Sequence, residues 1–281
     1  MSDDPLERKR VRISGGELSF IDYGEGPAVV LLHGFPTSSF LWVELVPLLA
    51  MSMRVIAPDL LGYGGSDAPA DADVSLPAQT RYVRELLAAQ GIGEFAVVGH
   101  DLGGGIAQIL AVSGGVRTLV LIDSIAFGTR PWPLATTVDG WFDRALAHPD
   151  RQTEELRGAL LAPFAGEGGR ESLQRLSRAR DGGALPGESE LARIDVPTLL
   201  LWGEDDPFNP VALAERLNEA IVSSSLALLP GCSHLLTHDA PEAVTQLLFQ
   251  FLRFRYLGAG HDHAEPGGPV PIALTHRPDP M

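Results

Sequence analysis

Thiols are almost missing from this chain: among its 281 residues Cys232 is the only cysteine. One cysteine forms no intramolecular disulfide and no Cys-rich zinc site, which points to a reducing compartment and calls for no metal. Long hydrophobic runs are missing too. No apolar stretch approaches the roughly 18 residues that a membrane crossing needs. The opening segment, Met1–Arg10, has no apolar core of a secretory signal. Positive charge is scarce, with 21 Lys and Arg against 36 Asp and Glu and a formal net charge of −15. Such a surface repels phosphate backbones and anionic lipid, so nucleic acid and membrane are excluded as expected partners. What is present is ordinary: 45% apolar and 20% charged residues, the balance of a folded domain. The expectation is a soluble, cytoplasmic protein whose partner is a small molecule.

Short apolar runs recur along the chain, separated by Gly-rich turns and amphipathic stretches. The runs are Ala28–Leu32, Arg54–Ala57, Phe95–Val98, Thr118–Ile122, Thr198–Trp202 and Leu226–Leu229. They are continuously apolar rather than alternating, as in parallel strands buried on both faces. Val11–Ile13 and Glu17–Asp22, split by Gly15 and Gly16, predict an antiparallel hairpin ahead of them. Three- and four-residue apolar spacing predicts helices over Ser39–Ala50, Pro77–Gln90, Gly103–Val112, Pro210–Ile221 and Pro241–Tyr256. Alternation of this kind predicts an α/β fold with a doubly wound, mostly parallel sheet.

Residues 126–190 break that rhythm. They hold no strand-like run and predict helices over Val138–Ala147, Gln152–Leu161 and Arg170–Arg178. We expect a core of residues 1–125 and 191–257, with 126–190 inserted as a helical cap. Residues 258–281, rich in Gly and Pro, read as a disordered tail. His261 and His263 within it read as solvated residues rather than metal ligands.

The segment Gly99-His-Asp-Leu-Gly103 carries the most chemistry. A buried run ends there and a helical stretch begins, with small residues two positions either side of Asp101. That spacing belongs to a sharp strand–turn–helix elbow, whose centre holds a strained, exposed nucleophile. A carboxylate at the centre is already ionised at neutral pH and needs no general base. Attack on a carbonyl would give an unproductive mixed anhydride. Attack on an sp³ carbon that bears a leaving group gives a stable alkyl ester, which activated water then hydrolyses. Carbon–halogen bonds and strained epoxides are the natural electrophiles. As a bland alternative, Asp101 only caps the following helix.

Three further loops complete the pattern: His33-Gly-Phe-Pro36, Gly203-Glu-Asp-Asp206-Pro-Phe-Asn-Pro210 and Gly231-Cys-Ser-His234. With these motifs in this order, residues 11–256 resemble the α/β-hydrolase branch of haloalkane dehalogenases, fluoroacetate dehalogenases and epoxide hydrolases. The resemblance implies an eight-stranded sheet, no cofactor, and a triad of Asp101, Asp206 and His234. Asp205, the neighbour of Asp206 in the loop, remains the near alternative in spacing, and Asp123 is a second possible acid, since some relatives place the acid one strand earlier. It also implies an oxyanion hole from the Phe35 and Leu102 amides, with His33 structural, while His238 reads as a surface residue.

The leaving-group subsite departs from each of those subclasses. Leu102 stands where haloalkane dehalogenases carry Trp, and Phe35 where halide-binding relatives carry Asn. Leu102 and Gly105 cannot supply the arginines that hold fluoroacetate. Tyr23, Tyr63, Tyr82 and Tyr256 are the tyrosines, and none lies in the expected cap. Cap indoles of Trp132 and Trp141 are candidate donors to a halide or alkoxide, with Phe127 and Phe142 as apolar wall; each aromatic equally suits sealing the cap. The leading expectation is a cofactor-free hydrolase acting through an alkyl-enzyme ester. A non-hydrolytic acid–base enzyme on the same fold and a small-molecule receptor are its rivals.

Overall fold

The computed structural model describes residues 7–67, 69–128, 138–164, 169–179 and 185–258. Eight strands form one sheet: β1 (Arg8–Ile13), β2 (Gly16–Tyr23), β3 (Ala28–Leu32), β4 (Arg54–Pro58), β5 (Phe95–His100), β6 (Val116–Ile122), β7 (Thr198–Gly203) and β8 (Ser224–Leu229). Their order is β1-β2-β4-β3-β5-β6-β7-β8. The β1–β2 and β2–β4 pairings are antiparallel, and every later pairing is parallel.

The apolar runs become the central strands for the expected reason. Every residue of β3, β5 and β7 is buried, because helices cover both faces. On one face lie α2 (Leu76–Ala89), α3 (Leu102–Ser113) and α8 (Val211–Ala220). On the other lie α1 (Val46–Leu49) and α10 (Pro241–Leu252). Ser75 caps α2 by accepting from the Ala78 amide, and Pro77 sits in its first turn.

Four boundaries differ from the sequence expectation. The single helix expected over Ser39–Ala50 is a 3-10 turn at Ser39–Trp42 followed by the one-turn α1. Pro47 enters at the start of α1 and cannot continue a preceding helix. At the N-terminal edge, β1 begins three residues earlier than expected. Its Arg8 and Arg10 are exposed there and pair with Asp59 and Glu17, so this edge strand lacks an apolar signal. The last helix stops at Leu252 and continues as a wider turn over Arg253–Leu257. His238 belongs to a separate short helix, α9 (Leu236–Asp239), and is buried rather than on the surface.

Between β6 and β7 the described residues are helical: α4 (Val138–Ala145), α5 (Glu154–Leu161), α6 (Gly169–Ala179) and α7 (Glu188–Leu191), with 3-10 turns between them. Trp141, Phe142 and Leu160 join the apolar cluster on one side of the sheet, whereas Phe164, Leu173 and Leu176 join the other. The segment thus straddles the carboxyl ends of the strands. No described helix is long and apolar enough to cross a membrane.

Candidate active site

Parallel pairing brings the strand ends into one line, since Leu32 pairs with Gly99, His100 with Ile122, and Ile122 with Leu201. The loops after β3, β5, β6, β7 and β8 therefore meet at one edge. Strand order reverses between β3 and β5, which is where open α/β sheets leave a ligand crevice.

Asp101 occupies the elbow between β5 and α3, with φ of 47° and ψ of −112°. A non-glycine residue in that region is strained, and the surroundings hold it there. A Cβ at Gly99 would collide with the Gly103 carbonyl, and one at Gly103 with the Leu32 carbonyl. Glycine is required at both places for α3 to rise this close to β3 and β5. The Asp101 carbonyl accepts from the Gly104 and Gly105 amides at 3.0 and 3.2 Å, and its side chain makes no capping bond. Its carboxyl group turns the other way instead. Oδ2 accepts from the Phe35 amide at 3.0 Å, and Oδ1 from Asn209 Nδ2 at 3.3 Å. Leu102 opens α3 directly behind it.

Asp206 and His234 are fully buried partners, with Asp206 Oδ2 at 2.8 Å from His234 Nδ1. A carboxylate accepts, so Nδ1 carries the proton and Nε2 holds the lone pair. The other oxygen, Oδ1, accepts from the Phe208 and Asn209 amides at 2.7 and 3.1 Å. The turn-capping role and the His-pairing role thus fall to different oxygens of one side chain. Asp205 is exposed and takes no part.

A family model described as "Alpha/beta hydrolase family" matches residues 29–247, most of the chain and both halves of this crevice. The chain belongs to that family. Its relatives include haloalkane dehalogenase 2 of Mycobacterium tuberculosis, 28% identical over 275 residues that cover 88% of this chain and 95% of that protein. Epoxide hydrolase 3 of Xenopus tropicalis is 26% identical over 296 residues, covering 88% and 78%. Among solved structures, a meta-cleavage product hydrolase from Pseudomonas fluorescens superposes with a TM-score of 0.78 at 23% identity, covering 87% of this chain and 97% of that one. The protein is accordingly an enzyme of the hydrolase class with the α/β-hydrolase fold.

Within that fold the second acid position, after β6, is also filled. Asp123 is fully buried, accepts from the Gly203 amide through Oδ1 at 2.9 Å, and has no partner for Oδ2 among the described residues. Burial, reinforced by the charges of Asp206 and Asp101, pushes its carboxyl well above the usual carboxylate range. It does not pair with His234.

Two uncharged histidines flank Asp101 and the Asp206–His234 pair. His33 accepts from the Leu60 amide through Nε2 and donates through Nδ1 to the Gly34 carbonyl, at 3.0 and 2.9 Å. Burial lowers its pKa, so it is a neutral brace beneath the Phe35 loop. His100 Nε2 lies 2.8 Å from the His234 carbonyl oxygen, to which it can only donate. Burial, followed by the His234 charge, lowers its pKa to about 3. His100 therefore fixes the backbone of His234 without adding a proton to the site.

Sequence reasoning missed His100 and Asn209. Each looks unremarkable in a loop, and only the folded chain brings them to the triad. Asn209 is buried and makes four hydrogen bonds: its backbone amide to Asp206 Oδ1, Nδ2 to both Asp101 Oδ1 and the Asp123 carbonyl (2.8 Å), and its backbone carbonyl to Trp202 Nε1 (2.7 Å).

The candidate aromatics separate. Trp141 from α4 stacks on Phe208 at 6.2 Å, and its ring lies edge-on to His234 at 6.3 Å. Phe142 is fully buried under the Arg157 guanidinium, and Phe127 lies beneath Arg216 of α8, so both have structural partners. Trp132 lies outside the described residues, as do residues 259–281 with His261 and His263. Asp239 ties α4 to the His234 loop by accepting from the Ala147, His148 and Ser233 amides.

Proposed function

We propose that the enzyme cleaves a carbon–halogen or epoxide carbon–oxygen bond at an sp³ carbon of a small apolar substrate, through an alkyl ester on Asp101. The observation that carries this is the elbow carboxylate itself. It stands at the strained turn, with one oxygen on a backbone amide, in a crevice that also holds a buried Asp–His pair. Two relatives, a haloalkane dehalogenase and an epoxide hydrolase, are named for reactions of this kind.

In the first step Asp101 Oδ1 forms a bond to carbon, and the halide or epoxide oxygen leaves with the electron pair. Oδ2 stays on the Phe35 amide. In the second step His234 Nε2 takes a proton from water, whose oxygen attacks Cγ. Negative charge then collects on Oδ2, where the Phe35 amide and the Leu102 amide at the start of α3 stabilise it. Asp206 holds the imidazole in the correct tautomer and stabilises the cation. The segment 126–190, whose described residues form helices α4–α7, acts as a cap, with Trp141 at its inner wall.

His234→Phe removes the base and spares the nucleophile. Incubated with 1-bromobutane and with styrene oxide, this variant is expected to gain the mass of the alkyl group on the peptide containing Asp101. An unmodified peptide with both probes contradicts the covalent route.

A further inference from the structure

We propose that Asn209 is the donor that releases the product oxygen in the second half-reaction. The inference rests on the covalent reaction above and divides the labour between the two oxygens of Asp101. Oδ2 lies on the Phe35 amide, the place of the oxyanion. Oδ1 is therefore the oxygen that attacks and becomes the ester oxygen. Asn209 Nδ2 lies 3.3 Å from Oδ1, within hydrogen-bond reach.

That contact has opposite effects on the two steps. During attack Oδ1 gives up electron density to carbon, so a hydrogen bond to it restrains nucleophilicity slightly. During hydrolysis water adds to Cγ, and the Cγ–Oδ1 bond then breaks with its electron pair on Oδ1. The product leaves as an alkoxide, which takes its proton from the His234 imidazolium. A donor at Oδ1 strengthens its bond as that charge grows, so it assists only this collapse. Asn209 keeps its own proton; the second proton of water leaves the new carboxyl group by way of the now neutral His234 to solvent, or to the alkoxide from epoxide opening, and the carboxylate is restored with Oδ2 and the oxygen of water.

The side chain is held for this task. The Asn209 backbone N–H donates to Asp206, its backbone carbonyl accepts from the Trp202 indole, and its side-chain Nδ2 makes a second bond to the Asp123 carbonyl. Those three contacts fix the loop after β7 against β7 itself and the end of β6, so Nδ2 is aimed before substrate arrives.

The test separates the half-reactions by rapid quench and mass spectrometry of the Asp101 peptide, with 1-bromobutane and styrene oxide as probes. Asn209→Leu and Asn209→Ala are both made, and thermal melting reports which of them folds. The expected result is alkylation at or above the wild-type rate and ester hydrolysis about 10- to 100-fold slower, the scale of a lost hydrogen bond to a charged oxygen. Alkyl-enzyme then accumulates in the steady state. A side chain that merely supports the fold would slow both steps together, and that outcome overturns the proposal, as does hydrolysis at the wild-type rate. His234→Phe runs alongside. If it forms no adduct with either probe, the covalent reaction itself has failed, and this inference falls with it.

Discussion

Asp206 and Asp123 follow adjacent parallel strands, β7 and β6, and both are buried at the same edge of the sheet. Their fates differ because the backbone around them supplies different numbers of donors. Asp206 receives two loop amides on Oδ1 and the His234 ring on Oδ2. Asp123 receives one amide on Oδ1 and nothing on Oδ2 among the described residues. One group is built to carry charge beside an imidazole. The other has its pKa raised, first by burial and then by the neighbouring Asp206 charge. Place in the fold makes a carboxyl group available; local donors decide whether it pairs with the histidine.

Asn substitutions are the sharpest way to break this comparison. Asp206→Asn removes the acceptor that sets the His234 tautomer, and kcat for ester hydrolysis should fall about 10³- to 10⁴-fold. Asp123→Asn should leave turnover within a few-fold of wild type. Equal losses in the two variants would mean that both acids serve the histidine.

The same pair differs in pH dependence. Burial raises the pKa of Asp123 in the folded chain above its unfolded value near 4, so folding takes up protons at a pH between the two. Stability from this site therefore falls as pH rises from about 4 toward the raised folded value. Asp123→Asn has no such slope. The melting temperature of the variant should gain on that of wild type as pH rises above 4, whereas a constant difference contradicts the raised pKa of Asp123. Asp205, exposed beside Asp206, gives the smallest effect: Asp205→Asn should change stability by less than about 0.5 kcal/mol and leave kcat unchanged.

The central strands were legible because residues such as Val29–Leu31 and Leu199–Leu201 are apolar without interruption. The elbow was legible because Gly99 and Gly103 answer a steric demand that few other turns make. Charged edges such as β1, stabilised by ion pairs rather than burial, leave no apolar trace. Asp206 and Asp205 are neighbours in sequence and part only when the turn after Gly203 buries one and exposes the other. Asn209 and His100 act through contacts with residues 108 and 134 positions away, which no local pattern encodes. His238, polar and close to a helix start, suggested solvent, yet it is covered, and burial lowers its pKa to about 4.

The central claim is that an oxygen of Asp101 ends in the product. A single turnover of the wild-type enzyme in ¹⁸O-water, with enzyme in excess over 1-bromobutane or styrene oxide, tests it directly. The product of that turnover should contain ¹⁶O, and the Asp101 peptide should gain one ¹⁸O. Product carrying ¹⁸O from the first turnover, with Asp101 unlabelled, would show that water attacks the substrate carbon directly and that no ester forms.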